Sequence, residues 1–223
     1  MGDRIYSALH LFARFVKRQS FDDLVLHPQR AHRTGGYLLA CTHVSHIEPM
    51  LATCLLDRPI RWMARIEFFR IPPLAAVLHH ANSFPVNRQG VPVSAIRKAI
   101  RLTEAGDVVG IFPEGGCRRG RDLAIRGGRI KQGVCTIALR AQVPIQPLVM
   151  LGTHQLTDLE PWLPGNRTKL WMNFGNVIHP PARPSRRDWR CTRASLAAAL
   201  EREYVRSYQE LLAHAGLTDE MTP

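Results

Sequence analysis

The stretch Thr42-His43-Val44-Ser45-His46-Ile47-Glu48-Pro49 sets an imidazole five residues ahead of a carboxylate, where an apolar strand pattern gives way to a helical one. α/β sheets place ligand sites at such junctions. A carboxylate just ahead of Pro49 faces the positive end of a helix dipole, which favours its ionised form. If Glu48 reaches back to His43, it fixes the ring's tautomer and steadies the imidazolium formed when His43 takes a proton. The pair is then a catalytic triad without its serine, the nucleophile being a hydroxyl of the substrate. Three other readings stand beside this one. The two residues can be a loop histidine and a helix-capping acid. His43, His46 and Glu48 can ligate a metal. Cys41 or Cys117 can be a covalent nucleophile served by His43.

A second stretch, Ile111-Phe112-Pro113-Glu114-Gly115-Gly116-Cys117-Arg118, runs from a strand into a turn whose glycines let backbone N–H groups approach a ligand. Arg118, Arg119, Arg121, Arg126, Arg129 and Lys131 follow against the single Asp122, a local charge of 6 − 1 = +5. Arg88 closes the extended segment Phe84-Pro85-Val86-Asn87, and prolines 144 and 147 bracket a further apolar run. Pro lacks a ladder donor, so that run is expected at an edge or at a strand start.

The elements that must position these residues alternate. Strands are expected at 24–26, 37–41, 60–64, 108–112 and 145–151, and helices at 49–56, 94–105, 131–141 and 194–213. Residues 161–193, crowded with Gly, Pro and Arg, are expected to be surface connections. Alternation of this kind implies crossover units and an α/β fold: a single domain with a largely parallel central sheet flanked by helices, plus an N-terminal amphipathic helix. The expected division is a helix over 1–20, a domain over 21–215 and a tail over 216–223. In the first helix Ile5, Ala8, Leu9, Phe12, Phe15 and Val16 recur at helical spacing among Arg14, Lys17 and Arg18. That pattern suits an anionic membrane surface, or packing on the protein's own core.

The chain has 223 residues, 45% of them hydrophobic and 22% charged, enough to bury a core without disulfides or a structural metal. Net charge is 30 − 18 = +12, and only four of the thirty basic residues are Lys. Arginine's donor fork points to an anionic partner. Nucleic acid is not expected as that partner: no helix-turn-helix, RNA-recognition or zinc-finger pattern is present, and few aromatics stand among the arginines. Five cysteines without a Cys-x-x-Cys pair argue for a reducing compartment and against a disulfide framework or a cysteine-based zinc site. No apolar run is long enough to span a bilayer.

The order and spacing of four blocks resemble the glycerolipid acyltransferases that acylate lysophosphatidate, glycerol phosphate and related acceptors. The first family block is Asn-His-x-Ser-x-x-Asp, matched by His43, Ser45 and Glu48. The second ends in an Arg after an apolar segment, as at Arg88. The third is Phe-Pro-Glu-Gly-Thr-Arg, with Phe112, Pro113, Glu114 and Gly115 identical. The fourth is Val-Pro-x-x-Pro, matched by Val143, Pro144 and Pro147, and Lys131-Gln132-Gly133 also resembles the family. Three departures stand out: Thr42 for Asn, Glu48 for Asp, and Gly116-Cys117 for Thr-Arg. The last removes the family's phosphate-contacting Arg from its own position, with Arg118 one residue later.

The resemblance implies an O-acyltransferase whose His43 deprotonates an acceptor hydroxyl while Glu48 orients the ring, with no acyl-enzyme. Arg88, Glu114, Gly115 and Arg118 would bind substrate. It implies no resident cofactor and no metal, only acyl-CoA or acyl-carrier protein as co-substrate. The expected partners are a lipid or other hydroxylated acceptor and an anionic membrane surface, with the protein peripheral on the cytoplasmic face. The alternative within the family is an inactive relative that binds lipid or acyl carrier.

Overall fold

A computed structural model describes residues 2–90, 92–157 and 167–219. The elements are α1 (Gly2–Ser20), β1 (Phe21–Leu26), β2 (Tyr37–Cys41), α2 (Glu48–Cys54), β3 (Ile60–Arg65), α3 (Pro72–His80), β4 (Phe84–Val86), α4 (Val93–Glu104), β5 (Val108–Ile111), α5 (Gly133–Ala141), β6 (Ile145–Leu151), β7 (Thr168–Phe174) and α6 (Trp189–Ala215). The strands form one seven-stranded sheet in the order β1-β7-β6-β2-β5-β3-β4. Every neighbouring pair is parallel except β6 with β7.

Strand β2 is buried along its whole length because helices cover both faces of the sheet. Its alternate residues serve two cores. Leu38 and Ala40 pack with residues of α4, α5 and α6; Tyr37, Leu39 and Cys41 pack with Leu51 and Ala52 of α2 and with Phe21, Leu148 and Met172. Helix α1 lies over α2 and α3, docked by His10 Nε2 against the Thr53 carbonyl (3.1 Å) and by Lys17 Nζ donating to Asp23 (2.6 Å).

Most expected strands and helices fall within a residue or two of their places, and four corrections follow. The region 161–193 holds β7, whose polar Lys169 and Asn173 interrupt its apolar run. Asn173 is buried all the same, its Nδ2 donating to the Ser207 carbonyl (2.9 Å) and to Glu210 (3.1 Å). Residues 158–166 of that region lie outside the described residues, as do 220–223 of the expected tail. Helix α6 begins at Trp189, five residues earlier than expected, and α3 was not anticipated.

The fourth correction concerns β6, which is interior, between β7 and β2, despite Pro147. The Pro147 carbonyl accepts from Gly175 N (3.0 Å), but proline cannot return a bond to the Gly175 carbonyl. Gln146 Nε2 supplies it at 2.8 Å. A neighbouring side chain thus stands in for the missing ladder donor, and the strand stays inside the sheet.

Gly110 on β5 connects the core to the sheet's functional end. A Cβ there would lie 2.4 Å from the Trp62 ring, so only glycine lets that indole cross the strand. Trp62 stacks on Phe112 (centroids 5.1 Å apart) and donates Nε1–H to Thr53 Oγ1 on α2 (2.9 Å). Gly110→Ala is therefore expected to cost about 1–3 kcal/mol through overpacking. Urea denaturation should show a lowered midpoint at an unchanged m-value.

Candidate active site

Four chemically notable residues follow strand ends at one edge of the sheet. His43 comes two residues after β2, Arg88 two after β4, Glu114 three after β5 and Thr153 two after β6. These strands all leave the sheet at its carboxyl edge because their pairings are parallel.

The centre is a histidine–carboxylate pair. His43 Nδ1 lies 2.8 Å from Glu48 Oε2, and the Glu48 carboxylate is wholly buried. Glu48 opens α2 and accepts from Val44 N (3.0 Å), Ser45 N (3.2 Å) and Thr153 Oγ1 (2.7 Å) as well. Four donor groups and the helix N-terminus satisfy a charge that would otherwise be costly to bury. An ionised carboxylate only accepts, so Nδ1 carries a proton in both states of the ring, and Nε2 holds the lone pair once the ring is neutral. Burial alone would lower the pKa of His43; the contacts with Cys117 and Glu48 outweigh it and raise the value to about 9.

Glu114 buttresses the same loop. Its oxygens accept from His43 N (2.5 Å) and Ala124 N (2.8 Å). Burial raises its carboxyl to about 7 against the lowering effect of those two bonds. Sequence reading places Glu114 among substrate-binding groups; in the fold, both its oxygens are engaged with backbone. Gly115 adopts φ +77°, in the left-handed region, and its N–H donates to the Phe112 carbonyl (3.0 Å), closing the turn. Arg88 donates from Nη1 to the Gly115 carbonyl at 2.6 Å and is half-buried. Arg118 N donates to the His43 carbonyl (2.9 Å), while its side chain is exposed.

Two cavities flank His43. The first, about 330 Å³, is walled by Met63, Val86, Ile96, Phe112 and Ile137, with Arg88 among its lining residues. Phe112 stacks on the His43 ring, centroids 4.0 Å apart. The second, about 730 Å³, is more polar and is bounded by Ser45, Ile47, Arg118, Arg119 and Leu156. Cys117 stands at its wall, Sγ 3.5 Å from His43 Nε2.

The alternative reading of His43, His46 and Glu48 as metal ligands finds no support, because Glu48 occupies the opposite nitrogen of His43. The group whose ligand atoms do come together is His43, His46 and Cys117, all within 4.8 Å of one another. Cys41 is fully buried and its thiol is pushed well up by burial, which leaves Cys117 as the cysteine beside His43. Thr153 escaped sequence reading. Its place two residues beyond β6 has meaning only once β6 is known to lie beside β2.

Comparisons with known proteins bear on the family and the fold. The family model described as Acyltransferase matches residues 24–151, which hold all four sequence blocks but stop short of Thr153. The 1-acyl-sn-glycerol-3-phosphate acyltransferase of Bacillus subtilis is 32% identical over 146 residues, covering 65% of this chain and 68% of that protein. The protein of the same name from Borreliella burgdorferi is 27% identical over 124 residues, 55% of this chain and 48% of its own length. The chain thus spans about two thirds of one relative and about half of the other. The crystal structure of the 1-acyl-sn-glycerophosphate (LPA) acyltransferase PlsC from Thermotoga maritima superposes with a TM-score of 0.61 at 20% identity. It covers 91% of this chain and 81% of that one, a likeness of fold.

The His43 ring carbons, followed by NMR, should titrate near pH 9 in the wild type. In Glu48→Gln, where the neighbouring charge is lost, the midpoint should move down. A midpoint that stays put on that substitution would show that Glu48 does not set the basicity of His43.

Proposed function

Because the chain belongs to the acyltransferase family, we propose that it moves a fatty acyl group from an acyl-CoA or acyl-carrier-protein thioester to the hydroxyl of a lysophospholipid or related acceptor. The single observation that carries this reading is the orientation of His43. Its Nδ1 is held by a buried carboxylate, its ring stacks on Phe112 of the apolar cavity's wall, and its Nε2 faces Cys117 of the polar cavity's wall.

His43 Nε2 takes the acceptor's hydroxyl proton as the oxygen attacks the thioester carbonyl. The tetrahedral adduct collapses, the C–S bond breaks, and the leaving thiolate recovers the proton from the imidazolium. Glu48 stabilises that imidazolium and holds the ring in place. The thioester is an activated donor, so no acyl-enzyme is needed. The apolar cavity suits an acyl chain, and Arg88 and Arg118 suit an anionic head group. Gly115 allows close approach of the turn, and Glu114 acts through the loop it buttresses. The relatives' names point to 1-acyl-glycerol-3-phosphate as the first acceptor to try.

Thiol release from palmitoyl-CoA in the presence of lysophosphatidate tests the assignment. His43→Ala should lower the rate about 10²–10⁴-fold, the usual contribution of a general base. Wild-type activity should rise with pH toward about 9, since the protonated ring below that value cannot accept a proton. Cys117→Ser should retain transfer, because the direct mechanism has no covalent step there. Loss of activity in Cys117→Ser equal to that in His43→Ala would favour an acyl-enzyme instead.

A peripheral place on the cytoplasmic face of an anionic membrane completes the proposal. Among the described residues no helix is long and apolar enough to cross a membrane. Helix α1 leaves Leu11, Phe12 and Phe15 between 60% and 73% exposed, with Ile71, just ahead of α3, and Val77 on α3 also exposed. The side chains of Ile5 and Leu9, part of the expected apolar face, lie outside the described residues. Burying one phenylalanine in the bilayer interface is worth about 1.5–3 kcal/mol at most. Replacing Phe12 and Phe15 by Ser should therefore weaken sedimentation with anionic vesicles by about tenfold or more. Equal binding by the double variant would remove α1 from the membrane contact.

A further inference from the structure

Cys117 has no step in the transfer proposed above, yet its sulfur sits on the lone pair that the reaction needs. Its loop is fixed there by two bonds that join the residues after β5 to neighbouring segments: Arg118 N to the His43 carbonyl (2.9 Å) and Lys131 N to the Pro113 carbonyl (2.8 Å). His46, three residues after His43, is exposed on the same side, its ring edge-on to that of His43 with centroids 6.0 Å apart. We propose that His43 Nε2, His46 and Cys117 Sγ form a binding site for one zinc ion, and that zinc at this site switches off the base.

The distances suit the ion. Tetrahedral zinc with Zn–N near 2.0 Å and Zn–S near 2.3 Å holds its nitrogen and sulfur ligands about 3.5 Å apart. His43 Nε2 and Cys117 Sγ already stand at 3.5 Å. The ligand atoms of all three residues lie within 4.8 Å of one another, so an exposed His46 ring need move by no more than about 1.5 Å to reach a nitrogen–nitrogen spacing of about 3.3 Å. The loop backbone can remain where it is.

The surroundings are those of a ligating histidine. Zinc-bound imidazoles commonly donate their second N–H to a carboxylate, and Glu48 takes that place at 2.8 Å. Charge balances as well. The Cys117 thiolate and the Glu48 carboxylate together neutralise the dication, so the bound ion adds no net charge beside Arg118 and Arg119. One thiolate with two imidazoles selects zinc over magnesium or calcium, which prefer oxygen. Three protein ligands leave a fourth position open toward the polar cavity. The thiol must shed its proton to bind, so affinity rises with pH.

Binding does not depend on the acyltransferase reading; inhibition does, because it follows from zinc occupying the His43 lone pair. The test uses the intact protein with Zn²⁺ alone and with Co²⁺ as a spectroscopic stand-in. One equivalent of Co²⁺ should give intense visible bands of a tetrahedral ion and a near-ultraviolet thiolate-to-cobalt band, both displaced by Zn²⁺ but not by Mg²⁺. Cys117→Ser should lose the thiolate band, with circular dichroism reporting that the variant is folded. Cys191→Ser, which removes the other exposed cysteine, should keep it. Glu48→Gln should weaken zinc by about 10–100-fold. In the transfer assay, Zn²⁺ should inhibit the wild type reversibly on chelation and leave Cys117→Ser unaffected. Absence of the thiolate band in the wild type, or its persistence in Cys117→Ser, would overturn the site. Zinc that binds at Cys117 and leaves transfer unchanged would overturn the switch. A wild type that forms the cobalt complex but transfers no acyl group to any acceptor would instead count against the acyltransferase reading.

Discussion

The buried carboxylate of Glu48 is the constraint around which the rest of the site is arranged. A carboxylate with no exposed surface is tolerated only where donors replace its water. Here the donors come from three directions: the loop after β2 through Val44 and Ser45, the end of β6 through Thr153, and the ring of His43. Each donor's position follows from the sheet. β2 and β6 are parallel neighbours, so the segments beyond them meet at one edge. Met150 N donates to Thr42 Oγ1 (3.1 Å), which holds those segments together just below the carboxylate. Were β6 displaced to the edge that its prolines suggest, Glu48 would lose Thr153 and the pair would lose its support. Gln146, by supplying the donor that Pro147 lacks, therefore contributes to the geometry of the base from one strand away.

The orientation of His43 is fixed from a second side by aromatic packing. Trp62 from β3, Phe112 after β5 and the imidazole form a stack with interplanar angles of 15° and 25°. The hydrogen bond to Glu48 sets the tautomer, and the stack sets the plane of the ring. Glu114 controls the backbone beneath by holding His43 N. Three restraints of different kinds act on one side chain, so Nε2 is the only ring nitrogen that faces outward. Preorganisation of this sort matters for the transfer proposed above, in which the acceptor oxygen must meet both the lone pair and the thioester carbonyl at once.

How much of this was legible in the sequence differs residue by residue. The pair of His43 and Glu48 could be read because both ends lie within one strand-to-helix junction, where local geometry determines their contact. Strands such as 37–41 and 145–151 could be read because burial on both faces makes them continuously apolar. β7 could not: its buried Asn173 owes its place to the carbonyl of Ser207 and to Glu210, both on α6. Thr153 has no signal in its own neighbourhood, since its function depends on β6 lying beside β2. The same holds for Cys117 against His43, 74 residues apart in sequence. The Arg88 and Glu114 motifs were recognisable as blocks, but only the fold distinguishes a side chain aimed at a cavity from one engaged by its own backbone.

The departure at Cys117 has a physical consequence beyond the loss of an anion-binding group. The resemblance read from the sequence puts an arginine at this position, and a cation beside a histidine disfavours its imidazolium by like-charge repulsion. The Cys117 sulfur at 3.5 Å acts in the opposite sense where it accepts from the protonated ring, and as thiolate it attracts that ring's charge. The Cys117 contact therefore raises the basicity of His43 and sets no cation at that position to repel a metal. Both effects concern the same lone pair. A stronger base is less often free at neutral pH, and it is also a better ligand for a soft cation. At this centre, proton affinity and metal affinity increase together because one nitrogen, held by one carboxylate, provides both.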